Sequence, residues 1–323
     1  MEKTTTPKTN TVFAREVKEG LSSYPKHLSS KYFYDEIGDK LFQQIMALPE
    51  YYLTRAEYAI FEQHKTEITA SFSAPHVPFN LYELGAGDGT KTKLLLKGLL
   101  AQNYQFEYRP IDISANALAQ LSTSLTNELP NVSVQPIQGT YFDSLKEMGQ
   151  TQEKKKVILF LGSNIGNLNH KLAVEFLMNI AHILNKDDLF FMGMDQKKHP
   201  RTILNAYSDA SGITAAFNKN VLTRINNELG GNFNLDNFIH WESYNPETGT
   251  AKSYLVSKIA QEVTIEALEQ SFEFDAWETI HTEISQKYDD AMVHQMAEDA
   301  GLRVVNQFTD ANSTFKNYLF TIA

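Results

Sequence analysis

Residues 79–93 constrain the fold of this chain more than any other stretch. A short apolar run ends in three glycines at alternate positions, Gly85, Gly87 and Gly89, and a helix-like stretch follows from Lys91. Nucleotide-binding α/β folds open in this way, because the turn after the first strand must lie close to its ligand, where a Cβ would obstruct it. The alternative interpretation is a bare glycine turn that joins a strand to a helix.

The residues around the turn favour S-adenosylmethionine as the ligand. The third glycine of the dinucleotide fingerprint is missing, and no Gly-Lys-Ser/Thr of a P-loop follows. Glu83, shortly before the first glycine, suits a ligand that carries positive charge and no phosphates. Asp112 ends the next predicted strand, 23 residues past Gly89, where it can accept hydrogen bonds from ribose hydroxyls. The alternative for Asp112 is a helix N-cap, although Ser114 fits that role better.

Predicted strands and helices alternate between residues 79 and 194. The strands cover residues 79–84, 106–111, 132–138, 156–161 and 188–194, and the helices cover residues 91–102, 115–127, 141–149 and 170–184. This rhythm predicts right-handed βαβ units and a mostly parallel, doubly wound sheet, which is an α/β fold. After the strand at 156–161, small and amide residues extend to Leu168 at the carboxyl edge, where open α/β sheets hold their ligands.

The rhythm breaks after Asp195, which indicates an inserted lobe. Residues 197–229 have the pattern of one helix and residues 234–274 that of strands; the doubly wound pattern then resumes with a helix at 286–300, ended by Gly301, and with strands near 302–308 and 314–322. Before the alternating strands and helices, residues 12–65 carry helical periodicity, and residues 1–11 are predicted to be disordered. The sequence therefore predicts a nucleotide-binding fold interrupted by a second lobe.

The composition of the 323 residues favours a cytoplasmic enzyme. The formal net charge is −10 and no basic run exceeds residues 154–156, which argues against a nucleic-acid groove. The apolar runs are too short to span a bilayer, and residues 1–10 lack the apolar core of a signal peptide. Cysteine is absent and the nine histidines form no His-x-x-x-His pair, so we expect no metal. We also expect a monomer whose partner is a small-molecule substrate, with no nucleic acid and no membrane.

Five segments resemble, in this order, those of the histidine-specific methyltransferase family: YFYDEIG (32–38), LPEYYLTRAE (48–57), ELGAGDGTKT (83–92), FLGSNIGN (160–167) and HTEIS (281–285). The best-known member of that family makes the trimethylated histidine betaine of ergothioneine biosynthesis. The resemblance covers most of the chain and implies a Rossmann-like class I methyltransferase domain with a second, α+β lobe. It places the substrate-binding lobe at residues 1–62 plus 196–286, and the S-adenosylmethionine-binding domain at residues 63–195 plus 287–323.

The resemblance also implies which side chains bind S-adenosylmethionine. The matching positions are Tyr51, Gly85, Gly87, Lys91 and Asp112. Thr140 and Tyr141 fall where an acidic residue and an aromatic residue hold the adenine in the family. Thr140 departs from the acidic type, and Asp143 is the alternative partner for the adenine amino group.

For an amino-acid substrate, the resemblance assigns Asn167 and Tyr207 to the α-carboxylate and the α-amine, with Tyr34 lining the same cavity. We treat these three as the catalytic residues, because methyl transfer needs an amine lone pair that is aimed at the methyl group. Tyr51 is expected at the substrate as well as at the cofactor. Without the resemblance, the tyrosines are equally typical of core aromatics, and Asn167 is equally typical of a turn.

Glu283 and Ser285 match the pair that hydrogen-bonds the substrate imidazole in the family. A glutamate can accept from one imidazole N–H, and a serine hydroxyl can donate to or accept from the other nitrogen. Ser253 matches a further substrate-pocket position, at which the ergothioneine-pathway enzyme carries methionine. The alternative for Glu283 is a helical i,i+4 pair with Lys287 on a solvated face.

We therefore expect an S-adenosylmethionine-dependent N-methyltransferase that acts on the α-amino group of L-histidine up to three times, giving the betaine. One alternative is a related enzyme for another amino acid or an indole-type amine, because fungal relatives of the family methylate tryptophan derivatives. A second alternative is a non-catalytic protein that binds S-adenosylmethionine. Asn167, Tyr207 and Glu283 argue against it, because a sensor needs no groups that orient an amine.

Overall fold

The computed structural model describes residues 11–74, 77–148 and 154–323. The segment predicted to be disordered, residues 1–11, lies outside these ranges except for Thr11. The α-helices of the described residues are α1 (Val12–Ser22), α2 (Glu36–Ala47), α3 (Leu53–Phe72), α4 (Thr92–Ala101), α5 (Ala115–Glu128), α6 (Tyr141–Met148), α7 (His170–Ile183), α8 (Pro200–Tyr207), α9 (Ile213–Leu229) and α10 (Asp290–Asp299).

The strands complete the described structure. They are β1 (Lys26–His27), β2 (Phe79–Leu84), β3 (Phe106–Asp112), β4 (Ser133–Val134), β5 (Ile137–Gln138), β6 (Lys155–Phe160), β7 (Leu189–Asp195), β8 (Phe238–Asn245), β9 (Thr250–Ser257), β10 (Gln261–Ile265), β11 (Gln270–Phe274), β12 (Thr279–Gln286), β13 (Leu302–Thr309) and β14 (Phe315–Ile322). Among the described helices, none is both long and apolar enough to cross a membrane.

The chain divides into two compact units. The first unit is Met1–Tyr52 with Lys198–Ser285, and the second unit is Leu53–Lys197 with Gln286–Ala323. The division after Tyr52 comes ten residues before the predicted boundary at residue 62, because helix α3 belongs entirely to the second unit. The later divisions fall within two residues of the predicted positions.

The second unit is built on an eight-stranded sheet in the order β13-β14-β7-β6-β2-β3-β4, with β5 also paired to β3. Strands β2 to β7 pair in parallel, whereas β14 runs antiparallel to β7 and β13 antiparallel to β14. All six residues of β2 are buried, as expected of a central strand covered on both faces. The predicted α/β class with a mostly parallel sheet is confirmed.

The strand order places a topological switch point at β2. The chain runs from β2 to β3 on one side and later returns to β6 on the other side. Ligands of open α/β sheets bind outside the carboxyl ends of the strands at such a point. The glycine turn follows β2 and the FLGSNIGN loop follows β6, so both lie at this edge of the sheet.

Three predicted elements differ from the structure. The strand predicted at 132–138 is two short strands, β4 and β5, because Pro136 between them has no N–H to donate to a ladder. The helix predicted at 286–300 begins only at Asp290, where Asp289 caps it by accepting a hydrogen bond from the Met292 N–H at 2.9 Å. Gly301 does follow that helix, in the left-handed region with φ 72°.

The third difference concerns residues 197–229, which do not form one helix. Asp209 accepts hydrogen bonds from the N–H groups of Ile213 at 3.0 Å and Thr214 at 2.7 Å, and so begins α9. Gly212 adopts φ 78°, which α-helical residues do not. Tyr207 is therefore the last residue of α8, rather than a residue inside a long helix.

The first unit contains a four-stranded sheet in the order β1-β12-β9-β8. Buried and partly exposed residues alternate along β9, and α9 contacts both β8 and β9. This alternation is typical of a sheet with one packed face; β8 and β9 pair antiparallel, whereas β1 pairs with β12 in parallel. Strands β10 and β11 form a separate antiparallel pair.

Candidate active site

The glycine turn of the second unit has the backbone that its sequence predicts. Gly85, Gly87 and Gly89 adopt φ values of 72°, 54° and 65°, which are strained for residues with a Cβ. The N–H groups of Gly85 and Ala86 both donate to the carbonyl oxygen of Ile111, at 2.8 and 3.2 Å. The turn is therefore fixed to the end of β3.

Gly85 and Tyr141, both predicted at the cofactor, lie side by side. A Cβ built on Gly85 would come 2.6 Å from the Tyr141 hydroxyl oxygen. Burial, together with the nearby Asp112 carboxylate, raises the pKa of Tyr141 well above its usual range. The side chain therefore remains an uncharged phenol that can donate a hydrogen bond.

Asp112 braces the turn and keeps capacity to accept from a ligand. Its Oδ2 accepts from the Gly87 N–H at 3.2 Å, and its Oδ1 accepts from the Ser114 N–H at 2.9 Å. A carboxylate has about four acceptor sites, so ribose hydroxyls can still donate to it. Ser114 caps α5 by accepting from the Ala117 N–H at 3.1 Å, as the sequence predicted. Asp112 is thus not the helix cap.

Glu83 does not have the role that the sequence suggested. Its carboxylate is buried and accepts hydrogen bonds from the hydroxyls of Thr92, at 2.6 Å, and Tyr108. The prediction that this acid faces a cationic ligand is wrong. Glu83 instead ties β2 to the first turn of α4 and to β3.

We expect Glu83→Gln to change how stability depends on pH. Burial raises the pKa of Glu83 from 4.5 to about 7, so the folded protein keeps a proton that the unfolded chain releases. The stability from this group is complete below the unfolded value and is lost as the pH rises towards the folded value. Between about pH 5 and pH 8, the wild type should lose roughly 1–3 kcal/mol relative to the variant. Urea unfolding of both proteins at the two pH values measures the free energy of unfolding. An equal change with pH in the wild type and in Glu83→Gln would contradict the prediction.

Lys91 follows the glycine turn and pairs with Glu57, a residue that the sequence interpretation missed. Glu57 is completely buried on α3, between the buried residues Leu53 and Ile60. An acidic residue on the apolar stripe of a helix was the available signal, because such a group needs a buried partner. Glu57 also ends the LPEYYLTRAE segment.

Thr140 and Asp143 form one polar pair at the start of α6. The Thr140 hydroxyl donates to Asp143 Oδ2 at 2.6 Å, and the Asp143 N–H donates back to Thr140 Oγ1 at 3.3 Å. Both residues are exposed. The pair places the Asp143 carboxylate next to Thr140, and the contact of Asp143 with the adenine amino group stays a prediction.

Asn167 lies at the end of a tightly held loop after β6. Ser163 adopts φ 60°, and its Oγ accepts from the Asp195 N–H at 2.9 Å. A Cβ on Gly166 would lie 2.8 Å from the carbonyl oxygen of Gln286, so the loop tolerates no side chain there. Asn167 ends a short 3₁₀ helix, Asn164–Asn167, and is exposed. It is thus a turn residue, and its contact with substrate stays a prediction.

In the first unit, the YFYDEIG segment fixes Tyr34. Asp35 caps α2 by accepting from the Gly38 N–H at 2.8 Å. Asn220 of α9 donates to the carbonyl oxygen of Phe33 at 2.9 Å and to Asp35 Oδ1 at 2.8 Å. A Cβ on Gly38 would lie 1.8 Å from the Phe33 carbonyl oxygen, which explains the glycine at this position.

Three predicted tyrosines belong to one aromatic cluster, which consists of Tyr34, Phe42, Tyr51, Tyr207 and Phe217. Ring centroids are 5.7 Å apart between Tyr34 and Phe42, 6.3 Å between Phe42 and Tyr51, and 6.4 Å between Tyr51 and Tyr207. The hydroxyl oxygen of Tyr207 lies 2.7 Å from Ser285 Oγ, within hydrogen-bond distance. The structure thus brings together Tyr34, Tyr51, Tyr207 and Ser285.

Glu283 lies on strand β12 and is partly buried. Lys287 is fully buried, and its ammonium lies 2.9 Å from the Asp195 carboxylate. The alternative of a helical surface pair between Glu283 and Lys287 is therefore wrong. Since Ser285 is on the same strand, Glu283 is two residues from the Tyr207 contact.

Ser253 makes a different contact from the one expected of a pocket wall. It is buried on β9 opposite Glu242 of β8, and its hydroxyl donates to Glu242 Oε2 at 2.6 Å. The Thr282 hydroxyl donates to the Ser253 carbonyl oxygen at 3.1 Å. Ser253 thus belongs to a polar group beside β12, whereas Tyr34, Tyr51 and Tyr207 belong to the aromatic cluster.

The second unit fits S-adenosylmethionine on three observations. A Cβ on Gly87 would meet no atom within 4 Å, so the turn has open space for a ligand. Asp112 has acceptor capacity for ribose hydroxyls. The Lys91 side chain is 20% exposed and its ammonium has three donors, so it has donor capacity left for an anionic group of the ligand. Across the three described ranges, no cluster of three or more His, Cys, Asp or Glu residues is arranged to hold a metal.

A glycine turn at the switch point of a mostly parallel sheet defines a Rossmann-like, nucleotide-binding α/β domain. Residues 13–322 match the family model described as histidine-specific methyltransferase, S-adenosylmethionine-dependent. The chain belongs to this family, whose members use S-adenosylmethionine as the methyl donor.

Individual relatives match nearly the whole chain. The histidine N-alpha-methyltransferase of Mycolicibacterium smegmatis is 35% identical over 301 residues, covering 93% of this chain and 92% of the relative. That of Mycobacterium tuberculosis is 34% identical, with the same coverage of both chains. A 4-dimethylallyltryptophan N-methyltransferase of Claviceps fusiformis is 29% identical over 308 residues, covering 89% of this chain and 85% of the relative.

We expect Asp112→Ala to weaken S-adenosylmethionine binding by about 1.5–3 kcal/mol, the scale of a hydrogen bond to a charged group. The change removes a ribose acceptor and also frees the Gly87 N–H that Asp112 braces. Asp112→Asn retains one side-chain acceptor, so its loss should be smaller. Titration calorimetry measures both variants, and unchanged affinity in a folded Asp112→Ala protein would remove Asp112 from the cofactor site.

Proposed function

We propose that this protein transfers methyl groups from S-adenosylmethionine to the α-amino nitrogen of L-histidine, up to the trimethylated betaine, as in ergothioneine biosynthesis. The observation that carries the proposal is the hydrogen bond between Tyr207 and Ser285. Ser285 lies on β12, the strand that also bears Glu283. The mycobacterial relatives named for this reaction match 93% of the chain. The proposal includes a cytoplasmic, monomeric enzyme.

The polar side chains of β12 suit an imidazole. Glu283 can accept from one ring N–H, while Ser285 can donate to or accept from the other nitrogen. The contact with Tyr207 restricts the rotation of the Ser285 hydroxyl. A side chain that cannot hydrogen-bond would leave these groups unpaired, which is how such a site rejects analogues.

The family's chemistry needs a neutral amine held in one direction. S-adenosylmethionine supplies an electrophilic methyl on a sulfonium, whose positive charge also disfavours a protonated amine nearby. In the proposal, Tyr207 orients the amine and Asn167 holds the α-carboxylate, while Tyr34 lines the cavity. Tyr207 is suited to this role because its ring packs against Tyr51 and its hydroxyl is fixed by Ser285. Positioning of this kind supplies much of the rate.

A second candidate is methylation of an indole-type amino acid. It is favoured by the Claviceps relative, which is named for a tryptophan derivative. Glu283 favours histidine, because an indole has only one ring N–H to pair with the two groups on β12.

One experiment separates these candidates. The protein is incubated with S-adenosylmethionine and, in turn, histidine, tryptophan and the other amino acids, and the products are weighed by mass spectrometry. We expect histidine to gain one, two and three methyl groups in succession. Methylated tryptophan without methylated histidine would support the second candidate. Binding of S-adenosylmethionine without any product would support a non-catalytic binding protein.

A further inference from the structure

We infer that Glu57 is a positioning residue of the cofactor site, because its carboxylate holds in place both loops that flank the switch point of the sheet. The inference rests on one contact predicted from the sequence, that of Lys91 with the cofactor. Glu57 itself is completely buried and does not reach a ligand. It acts through the groups that it holds.

The carboxylate joins four elements of the second unit. Its Oε2 accepts from the Gly162 N–H at 2.9 Å and pairs with the Lys91 ammonium. Its Oε1 accepts from Asn317 Nδ2 at 2.8 Å. Helix α3 is thereby tied to the start of α4, to the loop after β6 and to β14. The glycine turn precedes α4, so one side chain sets the separation of the two loops.

The fold makes room for this carboxylate. A Cβ on Gly193, within β7, would lie 2.1 Å from Glu57 Oε1. Glycine weakens a strand interior, so it is found where a group approaches the backbone closely. Gly162 adopts φ 73°, which favours glycine at the residue whose N–H donates to Glu57. Gly193 thus makes room for the carboxylate, and Gly162 allows the loop to present its N–H to it.

Burying the Glu57 carboxylate costs free energy that an apolar side chain at this position would not cost. A buried carboxylate is stabilised only when it is paired and hydrogen-bonded, and apolar residues often stabilise a core equally well. The Glu57 carboxylate has one effect that an apolar side chain lacks, because it holds the Lys91 ammonium in place. A lysine side chain otherwise loses about 2 kcal/mol of rotamer entropy when a ligand immobilises it. The pairing with Glu57 restricts the Lys91 ammonium before the ligand arrives.

The ligand group for that ammonium follows from chemistry. The α-carboxylate of the amino-acid end is the anionic group of S-adenosylmethionine and of its product, S-adenosylhomocysteine. An ammonium has three donors, of which Glu57 engages one, so the others can donate to this carboxylate. Loss of Glu57 should therefore impair binding of the amino-acid end and spare the adenosine end.

Titration calorimetry with two ligands tests this. S-adenosylhomocysteine carries the amino-acid end, whereas 5′-methylthioadenosine lacks it. We expect Glu57→Gln to weaken S-adenosylhomocysteine about 10- to 100-fold and 5′-methylthioadenosine less than about twofold. When Lys91→Met is already present, adding Glu57→Gln should weaken S-adenosylhomocysteine binding by less than about a further twofold. The reason is that the Lys91 ammonium, through which Glu57 acts on the ligand, is gone.

Two further variants distinguish a specific effect on ligand binding from a general loss of folding. Asn317→Ala loosens the same carboxylate without removing its charge, and should weaken S-adenosylhomocysteine alone by about 3- to 10-fold. Asp188→Asn is the matched control, since it breaks another buried pair, with Lys156 at 3.0 Å, just before β7 begins. That end of the strand is opposite the ligand edge. The control should lower the melting temperature and leave both affinities unchanged.

Hydrogen exchange supplies a measurement that needs no ligand. We expect Glu57→Gln, but not Asp188→Asn, to reduce protection of the Gly162 amide by at least about tenfold. The inference is overturned by an equal loss for both ligands, by full additivity with Lys91→Met, or by unchanged Gly162 protection. If wild type binds S-adenosylhomocysteine but methylates no histidine, only the proposed substrate fails. If it binds neither ligand, the cofactor assignment and this inference both fail.

Discussion

Gly85→Ala is expected to weaken S-adenosylmethionine binding at least about 100-fold, which corresponds to nearly 3 kcal/mol. The new Cβ would lie 2.6 Å from the Tyr141 hydroxyl oxygen, a separation that forces either the turn or Tyr141 to move. Both are predicted to contact the cofactor, so either movement disturbs its binding. The larger Gly85→Val should abolish binding altogether. Titration calorimetry on the folded variants measures the effect.

Two companion variants isolate the contact with Tyr141 from backbone strain. Gly301 has the same φ of 72°, and a Cβ there would meet no atom within 4 Å. Gly301→Ala therefore introduces the backbone strain of a positive φ without a steric clash, and should leave the affinity for S-adenosylmethionine unchanged. Adding Tyr141→Phe to Gly85→Ala removes the hydroxyl, so the nearest ring atom is then 3.4 Å away, and should restore about tenfold of the affinity. Equal losses in Gly85→Ala and Gly301→Ala would contradict this explanation.

The sequence predicted the parts of the fold that depend on local pattern. The strand, turn and helix of residues 79–93 are found, because alternate glycines and the flanking apolar runs specify them without reference to the rest of the chain. Ser114 is the cap of α5 for the same reason. The split of residues 197–229 was not predicted, although its signal is local, since Asp209 and Gly212 are typical of a helix end and a new start.

The site was less accessible to sequence reasoning where it depends on which way a side chain points. Every residue of β2 is buried, so no alternation reveals that Glu83 faces Thr92 rather than a ligand. The Ser253–Glu242 pair depends on the register between β8 and β9, which no local pattern specifies. The LPEYYLTRAE segment contained Glu57, but its partners Gly162 and Asn317 lie more than a hundred residues away.

Glu283→Ala is expected to lower kcat/KM for histidine about 10²- to 10³-fold, roughly 3–4 kcal/mol, if Glu283 accepts from the imidazole. Its position on β12, partly buried and two residues before Ser285, gives it a setting that a surface helix would not. Removing the carboxylate leaves the ring N–H of histidine unpaired. It also removes the penalty for amino acids without an imidazole, so relative activity on tryptophan and phenylalanine should rise. Binding of S-adenosylmethionine should barely change.

Glu273→Ala is the matched control for this prediction. Glu273 is an exposed carboxylate on β11 of the same unit, so its removal tests the general effect of losing one negative charge there. Steady-state kinetics with histidine, tryptophan and phenylalanine should show a change in selectivity for Glu283→Ala and none for Glu273→Ala. A structural role for Glu283 would instead lower stability and leave the ratio between substrates unchanged. Histidine turnover at the wild-type rate in Glu283→Ala would remove the main chemical reason for assigning histidine as the substrate.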